Sequence, residues 1–172
     1  MVGLSGCGSG GFFAFRFDCI YRVVGTDLGD GYIADLKRRA TEAGVNLQYD
    51  GRLSREGVRD AYRWADALMM PATRAGERVE GFGLVYLEAA AQGTPSVASN
   101  WGAAPEVVED GVTGWVVAPD DPGAVAGIIR GLGERKQEAI ELGSAAREAA
   151  RAYTWERCAV ATYGPWIGAA AQ

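Results

Sequence analysis

Glu80 and Glu88 stand eight positions apart in the run Glu80-Gly81-Phe82-Gly83-Leu84-Val85-Tyr86-Leu87-Glu88. The first borders a glycine-bracketed turn, and the second falls inside a helical pattern. A glycine turn feeding a helix start presents free backbone N–H groups and the positive end of the helix dipole. Such places bind anions, phosphates above all. Carboxylates that faced a phosphate would repel it, so these two fit better as acceptors for neutral hydroxyls on a ribose or a sugar ring. Either glutamate alone would read as a solvated surface charge. Together with the glycines and the helix start, they suggest a nucleotide-sugar site.

Composition narrows the remaining chemistry. The chain has 172 residues, enough for one domain with a proper core, and 48% are apolar against 23% charged, as in a soluble globular protein. A net charge of −5, with arginines spread along the chain, argues against a nucleic-acid binder. No apolar run approaches the roughly 20 residues of a membrane span, and the N-terminus lacks a signal-peptide pattern. Cys7, Cys19 and Cys158 form no C-x-x-C pair and read as free thiols in a reducing cytoplasm. There is no histidine, which removes Ser-His-Asp triads, Cys-His pairs and histidine-ligated zinc. Chemistry here rests on carboxylates, arginine and lysine, hydroxyls or backbone amides.

The elements that must position the glutamates alternate short apolar runs with helical patterns, the signature of an α/β protein. Residues 21–25 (YRVVG), 45–49, 67–70 (ALMM), 96–99 and 114–117 (GWVV) read as strands. Helices are expected over 31–43, over 55–65 behind an N-cap at Ser54, and over 83–92 with Gly93 as the stop. Pro105 fits the first turn of a short helix, and Asp121-Pro122 opens one reaching about Leu132. Two more are expected over 134–152 and 154–167, the second capped by Thr154. Strands apolar on both faces imply a mainly parallel sheet covered by helices, a Rossmann-like three-layer α/β/α domain. Gly111 and Gly114 read as turn positions with positive φ, and Trp115 as core. Arg74 and Arg78 read as solvated loop charges. The first 20 residues, rich in Gly and then Phe, show no helix period. Gly6-Cys7-Gly8-Ser9-Gly10-Gly11 satisfies G-x-G-x-x-G, but a phosphate loop needs a strand before it and a helix after it, so this run does not read as one.

The segment EGFGLVYLEAAAQGTPSVASNWGAAPEVVEDGVTGWVVAPDDP closely resembles the donor-binding half of family-4-type retaining glycosyltransferases of the GT-B fold. There a Glu is followed after seven residues by a second Glu, a small-residue helix, Gly-x-Pro, a strand, Gly-Gly-x-Pro-Glu and an Asp-Gly-x-x-Gly turn. Glu80, Glu88, Gly93, Pro95, Gly102, Pro105, Glu106, Asp110, Gly111 and Gly114 match in order. The resemblance runs from about Tyr21 to Gly133 and more loosely to Trp166. It is most like the branch holding phosphatidylinositol mannosyltransferases.

The resemblance implies a nucleotide-sugar-binding domain over 21–133, with helices over 134–172 packing on it and an atypical segment over 1–20. It implies that Glu80, as the catalytic-site residue, contacts the transferred sugar's hydroxyls. Gly81 and the amides of Phe82, Gly83 and Leu84 would face sugar and diphosphate, Glu88 would accept from the ribose hydroxyls, and Gly51, Arg52 and Leu53 would line the base. The donor would be a UDP-, GDP- or ADP-sugar, with no further cofactor and no bound metal. Partners would be the nucleotide sugar and an N-terminal acceptor domain or a self-association surface. The location would be cytoplasmic, or peripheral to the membrane in a full-length enzyme. The family also places an Arg and a Lys in a strand and helix before the position of Tyr21, where they neutralise the leaving diphosphate. Residues 1–20 hold Arg16 and no lysine. The chain is therefore expected to be a truncated or misassembled product. Either Phe12–Phe17 fills the place of the family's central first strand, or the sheet carries a gap. An alternative expectation is a non-catalytic relative that binds a nucleotide or a partner protein.

Overall fold

The computed structural model describes residues 2–4, 19–71 and 82–169. Its strands are β1 (Val2–Leu4), β2 (Cys19–Val24), β3 (Asn46–Gly51), β4 (Leu68–Met70), β5 (Ser96–Ser99) and β6 (Gly114–Val117). Its helices are α1 (Tyr32–Glu42), α2 (Arg55–Trp64), α3 (Leu84–Gln92), α4 (Ala104–Val107), α5 (Pro122–Glu134), α6 (Lys136–Ala150) and α7 (Trp155–Ala169). The local signals act as expected. The Ser54 hydroxyl accepts from the Gly57 amide at 3.1 Å to start α2, and the Asp121 carboxylate accepts from the Ala124 amide at 2.9 Å to start α5. The Thr154 hydroxyl accepts from the Arg157 amide at 3.2 Å ahead of α7.

The strands form two three-stranded sheets, ordered β1-β2-β3 and β4-β5-β6. All pairs are parallel except β1 on β2, which is antiparallel, with Val2 opposite Tyr21 and Leu4 opposite Cys19. Among the described residues no ladder joins the two sheets. Phe12–Phe17 and the Gly6–Gly11 run lie outside the described residues, and the strand beside β2 is Val2–Leu4.

Two apolar layers sandwich the second sheet. Ala67, Met69, Val97 and Val117 pack with Leu132 of α5 and Ala139 of α6, and Cys19 and Tyr21 of β2 lean on the same cluster. On the opposite face, Leu68 and Ala98 pack with Tyr62 of α2, Tyr86 and Ala89 of α3, Ala104 and Val108. Side chains alternate along β4 and β5, so Met69 and Leu68 fall on opposite faces, as do Val97 and Ala98. Every residue of β5 is buried, as a central parallel strand requires. Trp115 is partly buried against the first cluster, and Trp101 lies half out in solvent.

Two glycines are required by space. Gly114 was expected to need positive φ, but only Gly111 of that pair has it, at 70°. Gly114 is needed because a Cβ there would sit 2.2 Å from the Ser96 carbonyl oxygen. On α6, a Cβ at Gly143 would sit 2.1 Å from the carbonyl oxygen of Gly93, so α6 seats directly on the end of α3. Beyond α6, the Tyr153 hydroxyl donates to the Glu106 carbonyl at 3.0 Å, and α7 then presents Trp155, Val160, Tyr163 and Trp166 to solvent.

Candidate nucleotide-sugar site

The candidate site lies beyond the C-terminal ends of β3 and β4, where open parallel sheets bind ligands. Gly51 ends β3 with φ at 66°, a conformation that suits glycine, and its carbonyl accepts from the Gly25 amide at 2.9 Å. The chain turns there into Arg52, Leu53 and the Ser54 cap of α2. After β4 the chain passes through 72–81, which contains Arg74, Arg78, Glu80 and Gly81 and lies outside the described residues. It returns at Phe82, which is exposed, and reaches Gly83, which is buried with φ 74° and ψ 47°. Gly83 forms the left-handed entry to α3, and no side chain caps that helix. Leu84, at the first helical position, is exposed. The start of α3 carries the positive dipole end and first-turn amides of a helix N-terminus, features suited to an anion.

Glu88 lies one turn into α3, on the side facing α2. Its Oε2 accepts from the Tyr62 hydroxyl at 3.2 Å, while Oε1 has no partner among the described residues. Burial, and then the Glu88 carboxylate beside it, hold the Tyr62 phenol well above its ordinary pKa, so it stays a donor. A groove of about 490 Å³ runs between the two helices, with Leu53, Arg55, Val58, Arg59 and Tyr62 on one wall and Glu88, Ala91 and Gln92 on the other. Arg55 and Arg59 stand one turn apart on α2, facing Glu88 and Gln92 one turn apart on α3. Arg52, Arg55 and Arg59 are exposed, and none pairs with a carboxylate among the described residues. The Gln92 side-chain oxygen is buried without a hydrogen-bond partner, an acceptor at the edge of a cavity.

The structure therefore brings Leu53 and Glu88 to one groove, and places Phe82, Gly83 and Leu84 at the start of the helix that carries Glu88. Gly51 and Arg52 form the approach to α2. Sequence reasoning missed Tyr62, Arg55, Arg59 and Gln92. Four-residue spacing on each helix was the available signal, but nothing in the sequence said that the two helices face each other.

Open, mainly parallel sheets alternating with helices define a Rossmann-like α/β domain. The chain belongs to the family "Glycosyl transferases group 1", whose model matches residues 17–149. It is 32% identical over 151 residues to a D-inositol 3-phosphate glycosyltransferase of Streptomyces avermitilis, covering 86% of this chain and 32% of that protein. It is 36% identical over 124 residues to a GDP-mannose-dependent alpha-(1-6)-phosphatidylinositol monomannoside mannosyltransferase of Mycobacterium tuberculosis, covering 70% of this chain and 32% of that one. The fold is similar to the crystal structure of Anabaena HepE in complex with UDP and glucose, with a TM-score of 0.66, 27% identity, and coverage of 87% of this chain and 39% of that chain. The chain spans about a third of the length of the relatives it matches. The expected GT-B glycosyltransferase family and α/β fold class are thereby shown. Among the described residues no helix is long and apolar enough to cross a membrane.

Proposed function

We propose that this chain is the donor-binding half of a retaining glycosyltransferase, holding a nucleotide-diphosphate sugar while a second domain presents the acceptor. The observation that carries this reading is the groove between α2 and α3 with the Glu88 carboxylate in its wall, one turn along the helix that Gly83 starts. The diphosphate lies against the amides of Phe82, Gly83 and Leu84. The ribose hydroxyls donate to Glu88, and the base lies toward Gly51, Arg52 and Leu53. Glu80 receives hydroxyls of the transferred sugar.

The chemistry follows from charge. As the glycosidic bond to the diphosphate breaks, negative charge grows on the leaving oxygen. Preorganised amides and a helix dipole stabilise that charge without reorganising, commonly the largest catalytic term. Arg52, Arg55 and Arg59 supply positive potential along the groove. A carboxylate accepting from ribose hydroxyls makes charge-assisted hydrogen bonds, each worth about 1.5–3 kcal/mol. The relatives' names include GDP-mannose, and the HepE structure holds UDP, so the base and sugar are open to a direct screen.

A thermal-shift screen of UDP-, GDP- and ADP-sugars tests the reading. A ligand at a hundredfold excess over its dissociation constant stabilises by about 2.7 kcal/mol. At least one of these donors raises the melting temperature on this account. No shift with any of them, at millimolar concentration, would overturn it.

A further inference from the structure

Tyr62 lies near the end of α2, only 5% exposed, and reaches α3 at two points. Its hydroxyl donates to Glu88 Oε2 in the middle of α3. Its backbone carbonyl accepts from the buried Thr94 hydroxyl at 2.7 Å, just past Gly93, where α3 ends. The Thr94 amide in turn donates to the Ala89 carbonyl at 3.0 Å. One residue of α2 therefore holds both the body of α3 and its C-terminal turn.

The consequence concerns Glu88. A glutamate on an exposed helix face samples several rotamers, and ordering it on a ligand costs entropy. Glu88 is itself exposed, but a buried phenol holds one of its carboxylate oxygens and, among the described residues, leaves Oε1 without a partner in the wall of the groove. The acceptor that vicinal hydroxyls need is thus oriented before any ligand arrives. Among the described residues this is the one hydrogen bond of the Glu88 carboxylate, so Tyr62 is the group that orients it.

We infer that Tyr62 is the positioning residue for the ribose: it presets the Glu88 carboxylate, and the preference for a ribonucleotide over its 2′-deoxy counterpart depends on it. This rests on the donor-site reading of the groove. The inference is specific to the ribose hydroxyls. A residue that merely packs α2 on α3 would change the affinity for both nucleotides equally.

The test is calorimetric titration of the full chain with GDP and UDP and with their 2′-deoxy analogues, for wild type, Tyr62→Phe and Glu88→Ala. Phe keeps the ring packing, and thermal melts verify that the variants fold. Wild type should favour the ribonucleotide by about tenfold, and Tyr62→Phe should cut that ratio to about threefold or less, from the loss of one charge-assisted hydrogen bond. Glu88→Ala should abolish the preference. If Glu88→Ala abolishes it and Tyr62→Phe keeps the wild-type ratio, with affinities lowered equally or not at all, the inference fails while the donor reading stands. If Glu88→Ala also keeps the ratio, or if neither nucleotide binds wild type, the donor reading falls and takes the inference with it.

Discussion

The sheets β1-β2-β3 and β4-β5-β6 are built on different physics. In the second, all four residues of β5 are buried, and apolar layers cover both faces. In the first, every residue of β2 is only partly buried, and polar contacts carry the pairing with β3. Arg22 of β2 donates to Asp50 of β3 at 2.8 Å through Nε and forms an ion pair through its other nitrogen, and its guanidinium lies 4.6 Å from the centroid of the Trp64 ring. Gln48 donates to the other oxygen of Asp50. The candidate site spans this divide: the Gly51–Leu53 turn comes from the polar sheet, and α3 is anchored on the apolar one. The lesson is a division of labour. On the proposed reading, the well-packed half fixes the helix assigned to the diphosphate and ribose, and the looser half supplies the turn assigned to the base.

The largest expected break lies in the apolar half. Gly114→Ala sets a methyl against the Ser96 carbonyl and 2.9 Å from Val108 Cγ1, so the β5–β6 ladder must shift. We expect a loss of about 3 kcal/mol in urea unfolding, at the upper end for overpacking. A loss under about 1 kcal/mol would mean the ladder yields easily, and the contrast between the sheets would shrink. Asp50→Ala acts in the polar half. It removes the carboxylate partner of a mostly buried guanidinium and should cost about 2 kcal/mol, discounted because the pair keeps some contact with water. Its effect should concentrate on β2 and β3. Native-state hydrogen exchange would then show the amides of Cys19–Val24 opening faster while those of Ser96–Ser99 keep their protection. Equal acceleration in both sheets would erase the distinction.

A smaller effect is expected at alkaline pH. The folded-state pKa of Tyr62 lies above its unfolded value of roughly 10. Its contribution is therefore fully present below that pH and is lost as pH rises toward the folded value, because the unfolded state releases the proton more readily. Stability should fall above pH 10, and Tyr62→Phe should flatten that fall. An identical alkaline slope in the variant would remove Tyr62 as its source.

Much of this was legible in the sequence where local chemistry decides structure. Ser54, Pro105 and the Asp121-Pro122 pair marked helix starts because capping and proline geometry act within one turn. The strand over 96–99 was legible, but its complete burial was not, because two of its four residues are serines. Three further features were not legible. The three residues Val2–Leu4 carry no period, and only pairing with β2 makes them a strand. Gly114 looked like a turn glycine because a sequence cannot tell a need for positive φ from a need for space. The role of Tyr62 was not legible, since the partner of its hydroxyl lies 26 residues away. Gln92 and the Arg55-Arg59 pair were hidden in the same way, because a groove between two helices exists only after both have docked. The base and sugar left no side-chain trace, as backbone contacts and single hydroxyl contacts seldom do.

The central claim is that Glu88 receives the ribose of a bound nucleotide. Calorimetric titration of GDP and UDP into wild type and Glu88→Ala tests it most directly. The account predicts a loss of roughly one to two decades in affinity, the equivalent of one or two charge-assisted hydrogen bonds, for whichever nucleotide binds. Unchanged affinity in a variant that melts like wild type would contradict it and remove Glu88 from the site.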